Sequence, residues 1–171
     1  MLPNKSAVTT VPLYKRGTHG GLFSANASEK EAEYDVIKQL LFGDNYAARY
    51  YRRYATLIMR DDDINAQRDA HIASFYKELS GYYTTGNGVM DAFDDMPEEV
   101  QLALFDMIFN LGLTKLRIQY VLFNGHLRKR NWREAAVQSS RVRIGSDRNN
   151  YVHDLLMTAA RNQQAATGGH P

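Results

Sequence analysis

The chain has 171 residues, 44% of them apolar and 23% charged, with 21 Lys and Arg against 19 Asp and Glu for a formal net charge of +2. That length suits one domain with one core, and the composition excludes intrinsic disorder for the chain as a whole. The absence of cysteine excludes a disulfide framework, an iron–sulfur cluster and a thiol nucleophile. No run of about 18 apolar residues is present, so no membrane-spanning helix is expected. Met1-Leu2-Pro3-Asn4-Lys5 leads into polar sequence rather than the apolar stretch of a secretory signal. Synthesis in the cytoplasm, with any export by another route, is the expectation.

The small net charge conceals an asymmetry. Between Lys115 and Arg148 nine basic residues face only Glu134 and Asp147, so that segment carries +7 and the remainder −5. A basic C-terminal half suits a polyanionic partner such as nucleic acid, anionic lipid or cell-wall polymer, although surface Lys and Arg also occur simply as a solvated face.

Residues 1–27 hold Pro3, Pro12, Gly17, Gly20 and Gly21 without an apolar period and read as a flexible arm. Ser28-Glu29-Lys30-Glu31 has the form of a capping box, and Tyr34, Ile37, Leu40 and Leu41 follow at helical spacing until Gly43-Asp44. A second helix is expected over 45–60, with Tyr46, Tyr50, Tyr54, Leu57 and Ile58 on one face and Arg49, Arg52, Arg53 and Arg60 opposite. Asp61-Asp62-Asp63 reads as the acidic start of a third helix over 63–79 rather than a calcium loop, whose alternating ligand spacing it lacks. Ser80–Val89 then combines β-formers with turn glycines, and Asn87-Gly88 is a tight-turn dipeptide, so a short β-hairpin is expected there.

Pro97-Glu98-Glu99 opens a helix whose Val100, Leu102, Ala103, Leu104, Met107, Ile108, Leu111 and Leu113 are apolar on nearly all sides, as in a buried central helix. Further helices are expected over 116–127, over a short segment capped by Asn131 and containing Trp132, and over 148–162. Trp132, among apolar neighbours, is expected in the core. Residues 163–171 read as a disordered tail.

At Phe75–Gly88 the sequence resembles the Tyr-, Gly- and Thr-rich active-site hairpin of phage-type lysozymes. Asp106-Met107-Ile108-Phe109-Asn110-Leu111-Gly112 is similar to that family's central helix, and Asn131-Trp132-Arg133-Glu134-Ala135-Ala136 to its later short helix. Three such segments in family order cover roughly residues 66–162, and bacterial toxins built on phage lysozyme with added N-terminal helices are the expected relatives. The resemblance implies a mainly α, lysozyme-like α+β fold over residues 28–165, with a small β-hairpin lobe against a helical-bundle lobe. Residues 28–60 would be extra helices, 61–95 the catalytic helix and hairpin, and 96–162 the helical lobe.

The activity so implied is a muramidase: hydrolysis of the N-acetylmuramic acid to N-acetylglucosamine bond of peptidoglycan, without cofactor or metal. One carboxyl group must protonate the leaving oxygen while a second carboxylate stabilises charge or activates water. By alignment to the family, Asp69 takes the acid's place, Glu78 the second carboxylate's and Thr84 that of the water-holding threonine. The family has Glu and Asp in the reverse order. Three readings follow: Asp69 donates the proton, Glu78 does, or the exchange marks a site that no longer works. Arg148 matches the family's arginine that pairs with the acid, Asn110 its cleft-facing amide, and Tyr83 and Asn87 belong to the substrate-contacting hairpin. The five histidines show no metal-ligand spacing.

The implied setting is a bacteriolytic effector, made without a signal peptide and acting as a monomer at the periplasmic wall of a target cell. Its partners would be glycan strands and an immunity protein or secretion carrier. A catalytically inactive lysozyme-fold module binding glycan or protein is the alternative. A helical nucleic-acid binder, suggested by the Arg-rich segments, is disfavoured by the lysozyme-like segments.

Overall fold

The computed structural model describes residues 9–40 and 48–167, which are mainly helical with one small antiparallel sheet. The chain forms two compact units, residues 1–69 and 70–171. Among the described residues no helix is long and apolar enough to cross a membrane.

The sheet lies in the first unit, inside the segment whose composition suggested an arm. β1 (Tyr14–Arg16) pairs with β2 (Leu22–Ser24) in the register Tyr14↔Ser24, Lys15↔Phe23, Arg16↔Leu22. The connection closes by Gly17 N–H donating to Gly21 C=O at 2.7 Å, and Gly20 takes φ +81°, which a Cβ would oppose. Three-residue strands are too short to show a period, so composition alone did not reveal them. α1 (Ala27–Lys38) is capped two residues ahead of the expected box: Asn26 Oδ1 accepts from Glu29 N–H, and Glu29 reaches back to Asn26 N–H.

The helix expected over 45–60 shrinks to α2 (Ala48–Tyr51). Ile58 is instead extended and exchanges two backbone hydrogen bonds with Tyr14, at 2.8 and 2.9 Å, adding a bridge to the sheet. The expected tyrosine stripe becomes a cluster in which Arg53 lies over the rings of Tyr50 and Tyr54, at 4.8 and 4.9 Å. Leu41, Gly43, Asp44 and Tyr46, invoked in the sequence reading, lie outside the described residues.

α3 (Asp61–Tyr82) starts at the acidic run, where Arg60 bonds Asp63 at 2.8 Å. Its far end overturns the expected catalytic hairpin. Leu79 and Tyr83 are both wholly buried and Tyr83 N–H bonds Leu79 C=O, so burial draws the helix onward through Tyr82. Thr84 then leaves helical space, Thr85–Asn87 forms a 3₁₀ turn, and Gly88 ends it at φ +74°. Asn87-Gly88 does turn the chain, but a second 3₁₀ turn (Phe93–Asp95) follows it rather than a strand. There is no β-hairpin over residues 80–90.

In the second unit, α4 (Glu98–Gln119) supplies the centre of the core with Val100, Ala103, Leu104, Met107 and Ile108. Gly112, at φ +69° and ψ 157°, breaks its helical path, so the following turn is redirected before α5 (Val121–Leu127). α6 (Trp132–Val137) seats Trp132 in the core, as expected. Asn131 stands at its N-cap position without a side-chain capping bond. α7 (Ser146–Thr167) packs on α4 and α6 and runs through residues 163–167, where a disordered tail was expected.

One polar network runs through this core. Buried Tyr83 Oη donates to Asn124 Oδ1 at 2.5 Å, and Asn124 Nδ2 donates to the carbonyls of Leu116 and Tyr120 at 2.7 and 2.9 Å. Burial raises the Tyr83 phenol above its ordinary value. Tyr83→Phe, which strands the Asn124 oxygen, should cost about 1–3 kcal/mol, read as a lower urea midpoint at neutral pH. In the wild type the unfolded phenol ionises before the folded one, so this group's stabilisation is full below about pH 10 and falls above it. The phenylalanine variant should lose stability less steeply over about pH 9.5–11.5.

Candidate functional site

The sequence-derived residues do not gather where the lysozyme-like reading put them. Asp69 is exposed and bonded to its neighbour Arg68, with Nε to Oδ1 at 2.9 Å. Glu78 is half-buried nine positions further along the same helix. Nine residues at about 100° each make two and a half turns, so the two carboxylates leave α3 on opposite faces. Both were expected on the walls of one trough at a helix that breaks into a β-turn; α3 ends at Tyr82 in a 3₁₀ turn instead, and both acids lie on its continuous helical part.

Thr84 caps the 3₁₀ turn, its carbonyl accepting from Asn87 N–H at 2.9 Å. The Asn87 amide donates to Tyr82 C=O at 3.0 Å. Tyr83 is a core residue, not a substrate contact. Thr84, Tyr83 and Asn87 thus serve the turn and the core.

A different constellation forms on the second unit. Arg141 is buried, with no solvent exposure of its side chain. Its Nη1 donates to the Asp106 carboxylate and to Asp106 C=O, its Nη2 to Arg148 C=O at 2.8 Å, and its Nε to Asn149 Oδ1 at 3.1 Å. The other Asp106 oxygen accepts from Arg148 Nε at 2.9 Å. Asn110 Nδ2 donates to Asp106 C=O at 2.7 Å and to Oδ1 at 3.2 Å, and Asn149 Nδ2 returns to Arg141 C=O at 3.0 Å. Arg148 therefore does pair with a carboxylate, but with Asp106 of α4.

The rim of this network is an exposed aromatic patch. The Arg148 guanidinium sits 5.1 Å over the ring of Phe109, which is 60% exposed. Phe109 meets Phe75 edge-on at 6.2 Å, and Phe75 stacks with His71 at 6.1 Å. A planar guanidinium over an aromatic ring, next to amide and carboxylate groups, offers the stacking face and directional hydrogen bonds that sugar recognition requires. As an acid–base centre it is poor: Asp106 is the single carboxylate in the network and two arginines hold it.

In the first unit, Glu29 and Glu33 share a groove of about 400 Å³ with Lys15 and Tyr54. Both carboxylates are engaged there. Lys15 and the helix cap keep Glu29 below its usual range, and Glu33 Oε2 accepts from Thr56 N–H, Thr56 Oγ1 and Leu57 N–H at 2.6, 2.6 and 2.8 Å. Glu33 ties α1 to the strand-like segment beyond α2, and Glu29 ties it to Lys15 of β1.

Sequence reasoning named Asn110 and Arg148 but missed Arg141 and Asn149, and quoted Asp106 without giving it a role. A carboxylate on an otherwise apolar helix was the available signal, because such a group must find cations. No family model, curated protein or solved structure matches the chain.

The burial difference between the two arginines predicts unequal effects. Arg141→Met removes the buried partner of Asp106 and the donor to the Asn149 oxygen and the Arg148 carbonyl, and should cost about 3–5 kcal/mol. Arg148→Ala, at the solvent edge, should cost under about 1 kcal/mol. Equilibrium denaturation of both variants tests the contrast.

Proposed function

We propose that this is a lysozyme-like protein directed at bacterial peptidoglycan, in which the second unit recognises glycan strands. The supporting observation is that the lysozyme-like segment Asp106–Gly112 meets Arg148, the residue matched to the family's arginine: Asp106 and Asn110 hold a network whose exposed rim is Phe109 and Arg148. The excess positive charge of residues 115–148 adds long-range attraction toward a polyanionic wall.

The reading favours recognition over cleavage by these residues. Muramidase chemistry needs two carboxyl groups on either side of the scissile bond, about 5–9.5 Å apart. Asp69 and Glu78 leave α3 on opposite faces, and Asp106 is ion-paired with Arg141 and Arg148. Of the two functions the resemblance implies, the Phe109–Arg148 patch supports glycan binding.

Co-sedimentation with purified sacculi, with released reducing ends measured in the same tube, tests this. Wild type should pellet with sacculi, and a Phe109→Ala/Arg148→Ala double variant should bind at least about fivefold more weakly, the loss expected for about 1 kcal/mol. Asp69→Asn and Glu78→Gln should leave both signals unchanged. A wild type that stays in the supernatant rejects the proposal. Muropeptide release that disappears in Asp69→Asn or Glu78→Gln would restore the muramidase reading.

A further inference from the structure

Away from the aromatic patch, the second unit carries an apolar groove of about 410 Å³ between the start of α5 and the segment after α6. Val121, Leu122, Phe123 and Val142 line it, with Gln138 and Ser140 at its polar edge. Val121, Leu122 and Val142 are 64%, 65% and 87% exposed, and Ile118 and Val137, beside the groove in sequence, are 69% and 66% exposed. Isolated exposed aliphatics are ordinary; three lining one concavity, with Ile118 and Val137 adjoining it in sequence, mark a contact surface.

Charge selects the partner. Lys115 lies one turn before Ile118, Arg133 one turn before Val137, and Arg143 directly after Val142. Among the described residues none of these three cations is in an ion pair. Glu134, also a turn from Val137, is the carboxylate on α6. Three exposed aliphatics, Ile118, Val137 and Val142, thus each have an uncommitted cation nearby in sequence, and the groove lies inside the segment that carries +7. Arg143 is held outward at φ +67°, a backbone conformation that a non-glycine residue adopts at a cost.

We infer that the groove docks an amphipathic helix of a partner protein whose apolar stripe is flanked by Asp and Glu. The stripe fills the space between Val121, Leu122 and Val142, and the acidic flanks meet Lys115, Arg133 and Arg143. This site is independent of glycan recognition: it uses none of Phe109, Asn110 and Arg148.

Fluorescence anisotropy with the full chain tests the inference, using a labelled 18-residue synthetic helix with leucine at positions 4, 7, 8, 11 and 15 and glutamate on its flanks. The control carries lysine in place of every glutamate. The acidic helix should bind at least about tenfold more tightly than the control and weaken at high salt, where rim charges are screened. Leu122→Asp should weaken it at least about tenfold while the sacculus assay is unchanged, and Arg133→Glu/Arg143→Glu should also weaken helix binding at least about tenfold. Since these side chains are exposed, an unchanged urea midpoint will show that the variants fold. Equal binding of the two helices, or no binding at about 200 µM, overturns the inference. So does partition onto phosphatidylglycerol vesicles, or self-association lost in Leu122→Asp, in place of helix binding.

Discussion

A single buried guanidinium organises the second unit. Arg141 carries a guanidinium, and an unpaired cation at that depth would cost several kcal/mol. Its donors must therefore all find acceptors, and they find them on two helices: the carboxylate and carbonyl of Asp106 on α4, and the Arg148 carbonyl and Asn149 amide on α7. Hydrophobic packing brings α4 and α7 together, but packing alone tolerates sliding. Hydrogen bonds with fixed directions set the axial position of one helix on the other, and with it the placement of Arg148 over Phe109. The exposed patch inherits its geometry from a charge that solvent never reaches.

The two units are stabilised by different means. The second has a continuous core from Leu79 to Ala160, and a fully satisfied Tyr83–Asn124 network inside it. In the first, Ala25 is the buried apolar residue among those described, and order comes from polar ties: the Tyr14–Ile58 bridge, the Asn26–Glu29 cap, and Glu33 gripping Thr56 and Leu57. Such ties are short in range and water competes for them, whereas core burial is cooperative.

That difference explains what was readable in the sequence. The helices of the second unit were legible because burial imposes a 3.6-residue period on them, and Trp132 fell where its neighbours implied. Ser80–Val89 misled because its β-forming residues and Asn-Gly dipeptide are local signals, while Leu79 and Tyr83 answer to distant core partners. The first unit's strands and the Asn26 cap carry almost no periodic signal. Of the candidate site, Asn110 and Arg148 were visible through resemblance. Arg141 was not, because in Ser139-Ser140-Arg141-Val142-Arg143 nothing local separates the cation that sinks into the core from the one that stays outside. Asp69 and Glu78 stand nine positions apart on one continuous helix, a spacing that sends them to opposite faces.

The bond between Tyr83 and Asn124 spans 41 residues and joins the segment just past α3 to α5. A fragment cut to begin at the 3₁₀ turn, where a sequence-based boundary between hairpin and bundle would invite the cut, loses both the aromatic plug and the phenolic donor. Its Asn124 would face a void with an unanswered oxygen. Excision of an autonomous helical piece must therefore retain the closing turns of α3, Leu79 included, and α3 counts as part of the bundle's architecture as much as a lead-in to it.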